Sequence, residues 1–85
     1  MMTTRVGIFV FPDVEVLDFA GPYEVFTTAS RVFSREQPSA ERPFEVFTLA
    51  EQAGPVTARA GLTTLPDHGF ASAPPIDLLI VPGGV

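Results

Sequence analysis

A nearly continuous apolar run close to the N-terminus restricts the fold more than any other feature of the chain. The run is RVGIFVF, residues 5–11, bounded by Thr3-Thr4 before it and Pro12-Asp13 after it. Its β-branched and aromatic residues do not alternate with polar ones, which is typical of a strand buried on both faces. The first element is therefore predicted to be a strand of a parallel sheet.

The spacing of the apolar residues changes after this strand and becomes helical. Aromatic residues occur at Phe19, Tyr23, Phe26 and Phe33, with spacings of four, three and seven positions, or one to two helical turns. Such a stripe predicts a helix that packs this face into the core and ends by about Ser34. Asp18 or a near neighbour is expected to cap its N-terminus, with Pro22 in the first turn.

The remaining segments are short and alternate with connections. In chain order they are a polar loop at 34–42, a strand at 44–50, a small hairpin at 56–66, a loop or single helical turn at 68–75, and a strand at 77–82. Three main strands, one long helix and a hairpin predict an α/β fold. The order is that of the N-terminal part of a doubly wound, mostly parallel, flavodoxin-like sheet.

Composition excludes several classes of protein. The chain has 85 residues, of which 46% are hydrophobic, so a packed core is expected rather than a disordered segment. No apolar run approaches the roughly 18 residues of a membrane span, and no signal sequence is evident, which predicts a cytoplasmic protein without a membrane partner. The net charge is −5, and all five cations are arginines without a basic cluster, so this segment is not expected to bind nucleic acid.

The cysteine count limits the available chemistry. Because the chain has no cysteine, these residues supply no disulfide, no thiolate metal site and no cysteine nucleophile. Three parallel strands and one helix would also leave a sheet face and an edge open. We therefore expect residues 1–85 to be the N-terminal portion of a single larger domain, unable to fold well alone.

Two loops are candidates for a functional site, because ligands in open α/β sheets bind beyond the carboxyl ends of the strands. In the loop after the first strand, Asp13 is interpreted as a turn residue and Glu15 as a solvated charge. Asp18 has two compatible interpretations, helix capping or acid/base chemistry. Its neighbours Leu17 and Phe19 predict a poorly solvated carboxylate.

The second candidate loop is Gly83-Gly84, after the last strand. Glycines there allow either a tight turn or a close approach, and in the second case their N–H groups could stabilise an oxyanion. His68, the only histidine, follows Asp67 in a polar turn and is interpreted as a surface residue. No pattern supports a metal site or a bound cofactor.

Two stretches together resemble the ThiJ/PfpI superfamily, which has the class I glutamine amidotransferase-like fold. They are RVGIFVFPDVEVLDFAGPYEVF at the start and DLLIVPGGV at the end. The segment FPDVEVLDFAGPYEVF is similar to the isonitrile hydratase branch and to the sensor domains of AraC-type regulators. The resemblance covers essentially the whole chain.

The resemblance implies roles for three residues. Asp18 matches an acid that lies beside a cysteine nucleophile, and Gly83 and Gly84 match the oxyanion site. It also implies that the cysteine follows on a later strand and that complete members commonly form homodimers. On this basis the chain alone is expected to be inactive. The parent protein is expected to be a cysteine-dependent hydrolase or hydratase for a small molecule.

The resemblance leaves two other functions open. One is a ligand-sensing domain of an AraC-type transcriptional regulator, in which the same pocket binds a small molecule without reacting. The other is a truncated product with no activity. Nothing in these residues identifies the substrate.

Overall fold

A computed structural model describes residues 2–84 of the chain. The first strand, β1, spans Thr4–Phe9, and the long helix α1 spans Val16–Glu36. Strand β2 spans Phe44–Ala50, and β3 and β4, Val56–Thr57 and Thr63–Thr64, form the hairpin. The last two strands are β5, His68–Gly69, and β6, Leu78–Ile80.

Four parallel strands form the main sheet, in the order β5-β2-β1-β6, and the antiparallel β3-β4 pair forms a second sheet. This confirms the α/β class, the long helix and the small hairpin. The structure adds one short strand, β5, to the three main strands that were expected. Strand β5 was missed because two residues are too few to show the alternation by which a strand is recognised.

The core lies between α1 and one face of the sheet. Val6, Ile8 and Val10 alternate along and just beyond β1, and each is completely buried. Phe19 of α1 is buried against this cluster, and Phe26 packs against it with partial exposure. The helical stripe is therefore confirmed for Phe19 and Phe26, whereas Phe33 is only partly buried and Tyr23 is 40% exposed.

The start of α1 differs from the expectation. Glu15 is the N-cap residue, and its side chain makes no capping hydrogen bond. Asp18 is thus the third residue of the helix rather than its cap, and Pro22 lies in the second turn. Pro22 has no N–H to donate to the carbonyl of Asp18, four residues earlier, so the helix tolerates one missing bond near its start.

His68 also differs from its interpretation as a residue of a polar turn. It belongs to β5, where it pairs with Leu49 of β2, and it is only partly exposed. Its ring contacts the ring of Phe47 edge to face, with 5.5 Å between centroids. His68 therefore packs against β2 as part of the edge strand of the sheet.

A buried serine fastens α1 to the beginning of β2. The Ser30 hydroxyl donates to the carbonyl of Phe44 at 2.8 Å and accepts the N–H of the same residue at 3.0 Å. Ser30 is 8% exposed and is the only buried polar residue among residues 2–84. One side chain thus satisfies both backbone groups at the point where β2 begins.

Replacing Ser30 with Ala should lower the free energy of unfolding by about 1–2 kcal/mol, because both backbone groups of Phe44 lose this partner in a site with little water. Urea denaturation of the intact protein, meaning the natural protein that contains these residues, measures the change. Ser34→Ala, one turn further along the same helix, is the matched control and should change stability much less. Equal effects of the two substitutions would contradict the assigned role.

Asp77 determines where the last strand lies. Its N–H donates to the carbonyl of Arg5 at 2.9 Å, and its Oδ2 accepts the N–H of Arg5 at 2.8 Å. Strand β6 then runs beside β1 in parallel, with Val6 opposite Leu78 and Ile8 opposite Ile80. This register brings the residues that follow β6 to the start of α1.

Candidate active site at the ends of β1 and β6

The candidate site forms where the connection from β1 to α1 meets the segment after β6. Asp18 and Gly83 are 65 residues apart in the chain, and the N–H of Gly83 donates to Oδ2 of Asp18 at 3.1 Å. Strands β1 and β6 are neighbours and parallel, so their carboxyl ends lie at the same edge of the sheet. The structure therefore brings two of the three residues singled out in the sequence into direct contact.

Both backbone groups of Gly83 are held by the first turn of α1. Its N–H is donated to the Asp18 carboxylate, and its carbonyl accepts the N–H of Glu15 at 2.9 Å. The N–H of Asp18 in turn donates to the carbonyl of Glu15 at 3.1 Å. These three hydrogen bonds close a ring that fixes the Gly83 peptide against the helix.

The two glycines are distinguished by the space around them rather than by backbone conformation. Neither Gly83 nor Gly84 has a positive φ, whereas Gly54 and Gly61 do. A Cβ at Gly83 would lie 2.9 Å from Oδ2 of Asp18, and one at Gly84 would lie 2.6 Å from Cε2 of Phe11. Of the two interpretations left open by the sequence, a close approach therefore describes this pair.

Gly84 has a different environment from Gly83. It forms an isolated antiparallel bridge with Val14, and its nearest neighbours are the ring of Phe11 and the carbonyl of Asp13. Gly84 therefore holds the end of the segment in place and does not contact Asp18 through any hydrogen bond of residues 2–84.

Asp18 is more exposed to solvent than its apolar neighbours in the sequence had predicted. Asp18 is exposed, and Leu17 beside it is 76% exposed, while only Phe19 is buried. Within the part of the chain that the structure describes, the expectation that the Asp18 carboxylate is poorly solvated is therefore wrong. Its negative charge in the first turn of α1 is favourably placed with respect to the helix dipole.

One ion pair beside the site was not found by sequence reasoning. Nη1 of Arg59 lies 3.1 Å from Oε2 of Glu15, and the N–H of Arg59 donates to the carbonyl of Val14 at 3.0 Å. Arg59 precedes Ala60, which has a φ of 64° in the turn of the hairpin. The hairpin is thus attached to the connection that leads into α1, three residues before Asp18. No sequence signal linked Arg59 to Glu15, because the pair depends on how the hairpin folds back.

A cavity lies beside the site and shares one residue with it. Its volume is about 560 Å³, and it opens at the carboxyl ends of β1 and β2. Phe9 and Phe11 line its apolar side, and Glu51 and Gln52 supply polar groups. Phe11, which also lies against Gly84, connects the cavity to the candidate site. The sequence analysis did not identify Phe11, although its place at the end of the first apolar run was a usable signal.

The described part of the chain contains neither a metal-binding group of side chains nor a membrane-spanning helix. No group of three or more His, Asp or Glu side chains within residues 2–84 is arranged to hold a metal ion. In the same range, α1 is not apolar enough to cross a membrane.

Comparisons with known proteins agree with this architecture. No family model matches the chain. The chain is 31% identical over 83 residues to an isonitrile hydratase from Pseudomonas putida. This alignment covers 98% of the chain and 31% of that enzyme. The chain thus spans about a third of the length of this curated relative.

Solved structures give similar matches. A ThiJ/PfpI family protein from Pseudomonas syringae superimposes with a TM-score of 0.75 and 26% identity, over 99% of this chain and 30% of that one. An AraC family transcriptional regulator from Pseudomonas putida gives a TM-score of 0.70 at 22% identity, over 96% of this chain and 48% of the regulator. The second match is a likeness of fold.

Proposed function

Because the chain belongs to the ThiJ/PfpI superfamily, we propose that it supplies the acid and the oxyanion-binding groups of a site that acts on a small molecule. The observation that carries the proposal is the 3.1 Å contact between the Gly83 N–H and the Asp18 carboxylate. A proton-exchanging group and a fixed N–H donor are two of the three parts of nucleophilic catalysis.

The third part is a nucleophile, which these residues lack because they include no cysteine. In the proposed reaction a cysteine thiolate elsewhere in the intact protein attacks the terminal carbon of an isonitrile, and the same carbon takes up a proton, which gives a thioimidate. Water then adds to this carbon and the thiol leaves, which gives an N-substituted formamide. Asp18 moves the protons, and the N–H of Gly83 stabilises the negative charge that develops on oxygen. The 85-residue chain alone is inactive on this proposal.

The cavity beside the site suits the substituent of such a substrate. Phe9 and Phe11 offer aromatic surface, with 5.1 Å between their ring centroids, and Phe11 is next to Gly84. An apolar group that lies against these rings would direct the reacting carbon toward Asp18 and Gly83. The net charge of −5 also favours a neutral substrate over an anionic one.

The test is an assay of the intact protein with an alkyl isonitrile, with the N-substituted formamide detected by mass spectrometry. We expect formamide to accumulate catalytically and its formation to stop after alkylation of cysteine with iodoacetamide. The isonitrile version of the proposal is wrong if the intact, cysteine-containing protein forms no formamide above the uncatalysed rate.

A second candidate is a ligand-sensing domain of a transcriptional regulator, which the likeness of fold to an AraC family regulator favours. In that case the intact protein binds a small molecule without consuming it and carries a separate domain that binds DNA. Salt-dependent binding of the intact protein to duplex DNA, together with ligand recovered unchanged after incubation, would support the sensor over the enzyme.

A further inference from the structure

The hydrogen bond between Gly83 and Asp18 occupies the N–H that stabilises the negative charge on oxygen in the proposed reaction. Gly83 has a single backbone N–H, and this N–H is donated to Oδ2 of Asp18. A bond from an N–H to a carboxylate is charge-assisted and stronger than a bond to a neutral oxygen. A substrate oxygen that approaches Gly83 therefore meets a donor that is already in use.

The two residues of this hydrogen bond differ in how many other contacts hold them. The Gly83 peptide is held on its other side by the N–H of Glu15, and Gly84 after it pairs with Val14. The Asp18 side chain is exposed, and its carboxylate accepts no second hydrogen bond from residues 2–84. Release of the contact therefore proceeds by rotation of the Asp18 side chain, while the N–H of Gly83 keeps its direction.

We infer that Asp18 is the resident occupant of the Gly83 donor, and that a ligand oxygen binds there only when the carboxylate has moved away. The inference rests on the proposed role of Gly83 as an oxyanion donor. It adds a coupling between the two residues. A carboxyl group that has taken up a proton is neutral and is a weaker acceptor, so proton uptake by Asp18 frees the donor.

The test uses formate, a small oxyanion, as the probe for the donor. The intact protein is labelled with ¹⁵N-glycine, the Gly83 amide is assigned by its loss in Gly83→Ala, and formate is titrated. We expect Asp18→Ala, which removes the competing carboxylate, to bind formate at Gly83 about tenfold or more tightly than the wild type does. Asp18→Asn keeps a neutral acceptor of the same size and should give an intermediate affinity. It also replaces Asp18→Ala if that variant does not fold.

The matched control is Asp13→Asn, which removes a negative charge from the connection just before α1 without touching the Gly83 N–H. It should bind formate as the wild type does. Equal formate affinities of the wild type and both Asp18 variants at a responding Gly83 amide would overturn the inference but leave Gly83 as a donor. A Gly83 amide that responds in no variant would overturn the oxyanion role itself. These two failures are therefore distinguishable.

Discussion

Replacement of Asp18 by alanine in the intact protein should lower kcat by about 100-fold or more, since a positioned acid or base typically contributes a factor of this size. The same substitution removes the acceptor for the Gly83 N–H, which is 3.1 Å from the carboxylate in the folded chain. A rate comparison with an alkyl isonitrile as substrate measures the loss.

Two further variants separate proton transfer from positioning. Asp18→Asn keeps an oxygen that can accept the Gly83 N–H, but it cannot carry a proton, so kcat should fall while the free energy of unfolding changes little. Asp13→Asn alters a carboxylate in the connection just before α1, outside the contact with Gly83, and this variant should turn over at the wild-type rate. Wild-type turnover by Asp18→Asn would exclude the acid/base role.

The two glycines should respond differently to the same added methyl group. In Gly84→Ala the new Cβ would lie 2.6 Å from the ring of Phe11 and 3.2 Å from the carbonyl of Asp13. A ring packed beside the backbone cannot move away cheaply, so we expect a loss of about 1–3 kcal/mol in the free energy of unfolding. In Gly83→Ala the methyl meets only Oδ2 of Asp18, at the end of a rotatable side chain.

Gly83→Ala should therefore be nearly as stable as the wild type but slower, because the methyl displaces the carboxylate from its position. Thermal unfolding and kcat of both variants, measured on the intact protein, distinguish the two effects. The assignment of close approach at Gly84 and positioning at Gly83 does not hold if Gly83→Ala is the less stable variant, or if it retains full kcat.

Sequence periodicity was sufficient for the main elements. The apolar run of β1, the strand β2 and the stripe that includes Phe19 and Phe26 all produce a strong local signal, because one face or two faces of each element are buried. Strand β5 and the first residue of α1 had no such signal. The helix starts at Val16 after a residue that makes no capping bond, and no sequence pattern marks a start of that kind.

The candidate site was predictable in outline only. Both candidate loops follow strands, so a parallel sheet could be expected to place Asp18 and Gly83 at one edge. The direct contact between them depends on the register of β6 beside β1, which Asp77 helps to set through its two hydrogen bonds to Arg5. Register and side-chain direction arise from packing between distant segments, so they could not be inferred from local patterns.

The placement of β1 between β2 and β6 has a consequence during synthesis of the chain. Residues 4–9 leave the ribosome early, but the strands that pair with them on either side are residues 44–50 and 78–80. At typical translation speeds, about 4–14 s pass between synthesis of β1 and synthesis of β6, and only then can both backbone edges of β1 be paired. During this interval a strand whose Val6 and Ile8 are completely buried in the folded chain is open to chaperones and to other nascent chains. The order of the strands therefore leaves one backbone edge of β1 unpaired until β6, the last strand of the sheet, has been made.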